Sequence, residues 1–167
     1  MKHKRRPLTE EEIAIAHDVY IYTLPYEKIF ISDALGFQKR EYTTPGLKKN
    51  SGWILHLGPT AYNAIVTLDQ KETFIHELMH VWQSVHSKHK LGYAIDSVCQ
   101  QVLLLKFGKA YNYDVHAKWE DMHAEQQAQL VSDWYKLGCP TSDMRYDFVR
   151  DKVRTAIPVS KHIILDD

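Results

Sequence analysis

The segment from Lys71 to His86 constrains the fold most, because its apolar residues recur with the period of an α-helix. The same segment contains the pattern His76-Glu77-x-x-His80. Two residues four positions apart lie on one face of a helix, about 5–6 Å from each other. The segment therefore predicts a rigid helix that presents two imidazoles toward a single point. Its apolar positions are Phe74, Ile75, Leu78, Val81, Trp82 and Val85.

Two imidazoles on one helical turn can reach the same metal ion, and Glu77 is rotated away from them by about a quarter turn. From that position its carboxylate can reach a metal-bound water without binding the metal itself. Zinc lowers the pKa of its bound water towards 7, and a carboxylate can then take the proton. His76 and His80 are thus the predicted zinc ligands and Glu77 the predicted general base. The competing interpretation is an amphipathic helix whose surface His and Glu side chains bind no metal.

A catalytic zinc site needs a third protein ligand and one open position. Our candidate is Glu125, on a helix predicted over Asp121–Leu137 and 45 positions after His80 (125 minus 80). That separation allows the chain to leave the first helix and return beside it. Ala124 and Ala128 are small and would permit the two helices to approach closely. The competing ligands are His123, Glu120 and His116.

The remaining pattern places strands early and helices late, which is typical of an α+β fold. Thr9 is the predicted N-cap of a helix that ends near Asp18. The other predicted elements are strands at Tyr20–Thr23, Lys28–Ile31 and Trp53–Leu57, a loop over Tyr42–Gly52, and helices at Gly92–Phe107 and from Ser142 to about Val153.

A length of 167 residues fits one domain, which we expect to span residues 1–167. Lys and Arg together number 21 and balance 21 acidic residues, so net charge favours neither nucleic acid nor a membrane surface as a partner. The basic run Lys2–Arg6 is expected to be a solvated, partly disordered terminus, and the alternative is a patch that binds nucleic acid or a membrane surface. No apolar run is long enough to span a membrane, and no secretory signal is recognisable. Pairing of Cys99 with Cys139 is left open.

Two segments carry a resemblance to a known family. A His-Glu-x-x-His helix followed by a later helical Glu resembles the gluzincin branch of the zincin metallopeptidases. More narrowly, Phe74–Gln83 and Ala124–Tyr135 resemble the small zincin-like effector domains associated with bacterial Rhs and VgrG proteins of type VI secretion. The resemblance implies a zincin-like α+β fold, with a small, mostly antiparallel N-terminal sheet on the active-site helix and a helical C-terminal half.

The resemblance also implies a zinc ion on His76, His80 and Glu125, with Glu77 as the general base. The expected activity is metallopeptidase hydrolysis of a protein or peptide, in an antibacterial toxin opposed by a cognate immunity protein. Such a protein would be made in the bacterial cytoplasm and exported by the type VI system into a target cell. The alternatives are a catalytically silent zincin-fold binding protein and a zinc hydrolase that acts on a cell-wall bond.

One departure from the gluzincin pattern concerns the residue that orients a ligand histidine. Many gluzincins have Asp four positions after the ligand Glu, where this chain has Gln129. Asp96 is our substitute for that carboxylate. Trp82 and Gln83 are interpreted as packing and helix-surface residues, and His56 as an inert residue of the sheet. The candidates for stabilising the oxyanion are Tyr93, Tyr111, Tyr113 and His123.

Overall fold

The computed structural model describes residues 3–46, 51–63, 68–86 and 111–156. Within them the fold is α+β, as predicted, with four strands and five α-helices. The strands are β1 (Arg5–Pro7), β2 (Ile29–Ser32), β3 (Tyr42–Pro45) and β4 (Trp53–His56). The helices are α1 (Glu10–Tyr20), α2 (Gly58–Asn63), α3 (Leu68–His86), α4 (Ala124–Lys136) and α5 (Arg145–Phe148), the last continuing into a π-helical turn, Val149–Val153.

The four strands form one sheet in the order β1-β2-β4-β3. The pairs β1–β2 and β3–β4 are antiparallel, whereas β2 and β4 run parallel, with Ile31 opposite Leu55. Both of these residues are fully buried beneath the helices. Among the described strands β3 is an edge of the sheet, and it contacts α3, so the helix with the two histidines lies beside this edge.

Helix α1 begins where the sequence predicts, because Thr9 and Glu12 form a reciprocal capping box. The prediction of a strand at Tyr20–Thr23 is wrong, since Tyr20 is the last residue of α1. The Tyr20 side chain is fully buried and its hydroxyl donates to the main-chain oxygen of Ile75, 2.6 Å away. Packing on α3 thus outweighs the β-propensity of this segment.

Two segments expected to be irregular are strands. Arg5 and Arg6, the end of the basic run, belong to β1, and Arg6 is ion-paired with the buried Glu12. The predicted disorder of the run is therefore wrong at these two residues. Tyr42–Pro45, within the predicted loop, forms β3 by pairing with β4. Both are short edge strands that contain a proline, and their sequences therefore resemble loops.

Helix α4 packs along α3 more extensively than any other pair of described elements. It starts three residues later than predicted, because His123 has an extended backbone (ψ 162) and caps the helix together with Gln126. Glu125 consequently lies in the first turn of α4. Ala128 is completely buried, as expected for a helix that approaches its neighbour closely.

The predicted helix Gly92–Phe107 lies outside the described residues, as do Asp96 and Cys99. Cys139 is half-buried. Within the described ranges, no helix combines the length and apolar character required to cross a lipid bilayer.

Candidate metal centre

Helices α3 and α4 bring together the two histidines and the distant glutamate. The Nε2 atom of His76 lies 3.1 Å from Oε2 of Glu125, and Nε2 of His80 lies 3.3 Å from Oε1 of the same carboxylate. The two imidazole rings are 5.1 Å apart and nearly perpendicular, at 77°. One turn of α3 and the first turn of α4 therefore direct two nitrogens and a carboxylate toward one point.

Two of these three side chains are buried, whereas His76 is partly exposed at the cleft. Glu125 is 2% exposed and His80 6%. Burial alone would raise the pKa of Glu125, but hydrogen bonds and charge from His76 and His80 hold the pKa of this carboxyl well below its usual range. Burial would likewise lower the pKa of His80, yet Glu125, and then Glu77, raise the pKa of this imidazole to about 9.

The donor set fits a divalent metal ion. Imidazole nitrogen and carboxylate oxygen are ordinary zinc ligands. Among the described residues the buried Nε2 of His80 makes no well-aligned hydrogen bond, and it faces Oε1 of Glu125 at 3.3 Å, where a metal ion could be bound by both. His76 and His80 each offer a ring nitrogen and Glu77 offers a carboxylate oxygen. These three atoms lie within 4.8 Å of one another. These residues can hold a metal, while the assignment of zinc stays a prediction from the resemblance.

Glu77 is 4% exposed and is held by strand β3. The Thr43 hydroxyl donates to Oε2 of Glu77 at 2.7 Å and also lies 3.2 Å from the main-chain oxygen of Glu77. The carboxylate predicted to act as the base is therefore oriented by a residue of the sheet edge. Sequence reasoning missed Thr43 because it placed this segment in a loop.

His80 has a partner on its other ring nitrogen that sequence reasoning also missed. Its Nδ1 lies 3.0 Å from Oε1 of Gln83, which is 4% exposed. Gln129, at the position where gluzincins have Asp, instead donates to Asp133. His80 and Gln83 are three positions apart and therefore share a helix face, so the sequence could have indicated that these two side chains are in contact.

The site opens on a cleft of about 360 Å³. His76 and Glu77 line it, and so does Tyr111, whose ring centroid is 5.9 Å from that of His76. Burial, followed by the charge of Glu125, raises the pKa of Tyr111, so its hydroxyl keeps its proton at neutral pH. The other lining residues are Arg40, Glu41, Glu72, Thr73, Gln129 and Ser132.

The competing ligand candidates are placed elsewhere. Glu120 is exposed and pairs with Lys152. His123 is exposed at the N-cap of α4, and His116 is exposed.

Two further residues singled out in the sequence have other contacts. The Tyr113 hydroxyl, an oxyanion candidate, donates to Asp133 and accepts from Arg145. His56 is buried in the sheet, where its ring stacks on Tyr42 and its Nε2 lies 3.0 Å from the Thr44 hydroxyl.

Comparison with known proteins shows a distant similarity to a type VI secretion protein. The chain is similar to the type VI secretion system spike protein VgrG2b of Pseudomonas aeruginosa (strain PAO1), with 28% identity over 137 residues. The match covers 78% of this chain and 13% of VgrG2b, so the chain spans a small fraction of that relative. No family model matches the chain, and no solved structure matches it. Membership of the zincins accordingly stays a prediction.

Proposed function

We propose that this chain is a zinc-dependent metallopeptidase that acts as a type VI secretion effector. One observation carries the proposal: His76, His80 and Glu125 converge from two helices, with Glu77 beside them at a cleft. Two imidazoles, one carboxylate ligand and a neighbouring second carboxylate are the parts that metal-assisted hydrolysis needs. A purely structural metal site would have no use for Glu77.

A zinc ion held by His76, His80 and Glu125 would supply Lewis acidity, polarising the attacking water and the scissile carbonyl. Glu77 takes the proton of that water on its carboxylate and then delivers it to the leaving amine. Thr43 holds Oε2 of Glu77 in place, so the carboxylate meets the water in a fixed orientation. The low exposure of Glu77 and Glu125 keeps bulk water from competing with these contacts.

Tyr111 is the residue we assign to stabilising the oxyanion. It faces the cleft beside His76, and its neutral hydroxyl is able to donate a hydrogen bond. Tyr113 is already engaged by Asp133 and Arg145, which makes it a structural residue. Tyr93 lies outside the described residues.

The similarity to VgrG2b supports the link to type VI secretion, since that relative is a spike protein of the system. A hydrolase that is delivered into neighbouring cells would also reach sister cells. We therefore expect the producing cell to make an immunity protein that inhibits it. The substrate we expect is a protein or peptide that enters the cleft in an extended form beside β3, an edge strand of the described sheet.

Metal analysis and hydrolysis assays on purified variants test the proposal. The wild type and Glu77→Gln should each carry about one zinc per chain, and only the wild type should cleave an unfolded protein such as casein. Glu125→Gln should lose zinc. The matched control is Glu120→Gln, which removes an exposed carboxylate near the same helix start and should keep both zinc and activity.

Each alternative gives a different result. Zinc without any hydrolysis in the wild type would indicate the silent binding protein. Release of fragments from purified cell wall, but none from casein, would indicate the cell-wall hydrolase. A wild-type protein that was never exposed to chelator and yet contains no metal would overturn the metal site altogether.

A further inference from the structure

A histidine that binds a metal through Nε2 must carry its remaining proton on Nδ1. In His80 the Nε2 atom faces Glu125, whereas Nδ1 points away from the site toward Gln83. The usual partner of such an Nδ1–H group is a carboxylate, a main-chain carbonyl or a water. Here the partner is a side-chain amide, whose oxygen and nitrogen have opposite hydrogen-bonding roles.

The amide orientation of Gln83 follows from its other contacts. Its Nε2 lies 3.0 Å from the main-chain oxygen of Ala124 and 2.9 Å from Oε1 of Gln127. A carbonyl oxygen only accepts hydrogen bonds, so the Gln83 atom facing Ala124 must be the NH₂ group. Oε1 therefore faces His80, and because this oxygen cannot donate, Nδ1 of His80 must carry a proton.

Gln127 is oriented in the same way. Its Nε2 donates to the main-chain oxygen of Trp119 at 2.9 Å, which leaves its Oε1 to accept from Gln83. The main-chain carbonyls of Trp119 and Ala124 thus fix the orientation of both amides. They thereby fix which group donates in the Gln83–Gln127 and His80–Gln83 hydrogen bonds. Neither amide can flip without bringing two acceptors together.

We propose that Gln83 and Gln127 form an uncharged amide relay that holds His80 in its Nδ1–H tautomer and so positions Nε2 for the metal. Gln83 is a positioning residue in this scheme, and the inference rests on the proposed metal site. The relay also connects two ligands, because the carbonyl of Ala124 belongs to the peptide bond that leads into Glu125. One buried side chain on α3 therefore orients His80 and secures the first turn of α4.

Zinc affinity of the metal-stripped full chain, measured by competition with a chromophoric chelator, tests the relay. Gln83→Met keeps the side-chain volume but removes both hydrogen-bonding groups, and it should weaken zinc binding about 10- to 100-fold. Gln83→Glu still offers an acceptor to Nδ1–H but places its second carboxylate oxygen against the Ala124 carbonyl and Oε1 of Gln127, so it should recover only part of the lost affinity. The matched control is Gln129→Met, the same replacement at the position where gluzincins have Asp, which should leave affinity within about twofold of the wild type because Gln129 contacts Asp133 instead.

A second measurement reads the tautomer directly. In ¹⁵N-resolved spectra of the zinc-loaded wild type, His80 should show a protonated Nδ1 and a metal-bound Nε2. Gln83→Met should broaden or shift that Nδ1 resonance, and Gln129→Met should not. If Gln83→Met fails to fold, Gln127→Met breaks the next link of the relay and should weaken zinc binding in the same direction.

The outcomes separate the relay from the metal site. Wild-type zinc affinity in both Gln83→Met and Gln127→Met would overturn the relay while the metal site stood. Binding of zinc through Nδ1 of His80 would also overturn it. No zinc binding by the wild type would overturn the proposed metal site first and the relay with it.

Discussion

Replacing Arg6 should destabilise the whole domain, although the residue lies in a basic run near the amino terminus. Its guanidinium makes two 2.8 Å contacts with the carboxylate of Glu12, which is fully buried. The same guanidinium donates to the main-chain oxygens of Ala61 and Tyr62 near the end of α2. Arg6 therefore connects β1, α1 and α2, the helix that immediately precedes α3 in the chain.

The expected cost follows from the charge that is left behind. Arg6→Met would leave the Glu12 carboxylate buried, with the Thr9 amide, 2.9 Å away, still donating to it. Removing one partner of a buried ion pair costs about 3–5 kcal/mol. The Arg6 side chain is 20% exposed, so water can partly replace it and we expect the lower end, about 3 kcal/mol. With an m-value of about 2 kcal/mol per M, the urea midpoint would fall by about 1.5 M.

Urea unfolding of the metal-free chain, followed by circular dichroism, measures this cost without a contribution from zinc binding. Arg5→Met is the matched control, since Arg5 is exposed in the same strand and its replacement should change stability by less than about 0.5 kcal/mol. The loss of unfolding free energy in the double variant Arg6→Met/Glu12→Leu should be about 2 kcal/mol smaller than the sum of the losses in the two single variants. Equal midpoints for Arg5→Met and Arg6→Met would refute the role of the ion pair.

Three further predictions concern the site and the sheet. Thr43→Val should lower kcat about 10- to 100-fold with zinc content unchanged, because a hydrogen bond to a charged group contributes about 1.5–3 kcal/mol, and Thr43→Ser should restore most of the rate. Tyr111→Phe should lower kcat by about 100-fold while KM and zinc affinity stay near wild type; a larger effect on KM than on kcat would contradict its role. Burial, with the charges of Arg5 and His3, lowers the pKa of His56 from 6.5 to about 4. The unfolded chain then binds the extra proton first, so stability should fall as pH drops from about 6.5 to 4, and a histidine NMR titration that placed this pKa above 6 would contradict the expectation.

Local sequence determined the parts of the site that depend on short-range geometry. His76 and His80 share a face of α3 because helical periodicity places them there, and the apolar residues around them predict the helix without further information. The start of α1 is also a matter of short-range geometry, because Thr9 caps the helix together with Glu12, three positions later. The convergence of Glu125 with the two histidines was predicted on the assumption that a later helix returns beside α3, and the structure brings the three residues together.

Tertiary structure decided the residues that orient the site. Thr43 reaches Glu77 across 34 positions, and only the pairing of β3 with β4 brings it there. Gln83 is identified by its contact with the Ala124 carbonyl on a different helix, 41 positions away. The periodicity of the sequence indicates which residues share a face of one helix or strand. A hydrogen bond between two helices, or between a helix and a strand, depends on how their faces pack together. The sequence by itself thus determined which side chains can bind a metal, and the packing of α3 against β3 and α4 decided how those side chains are held.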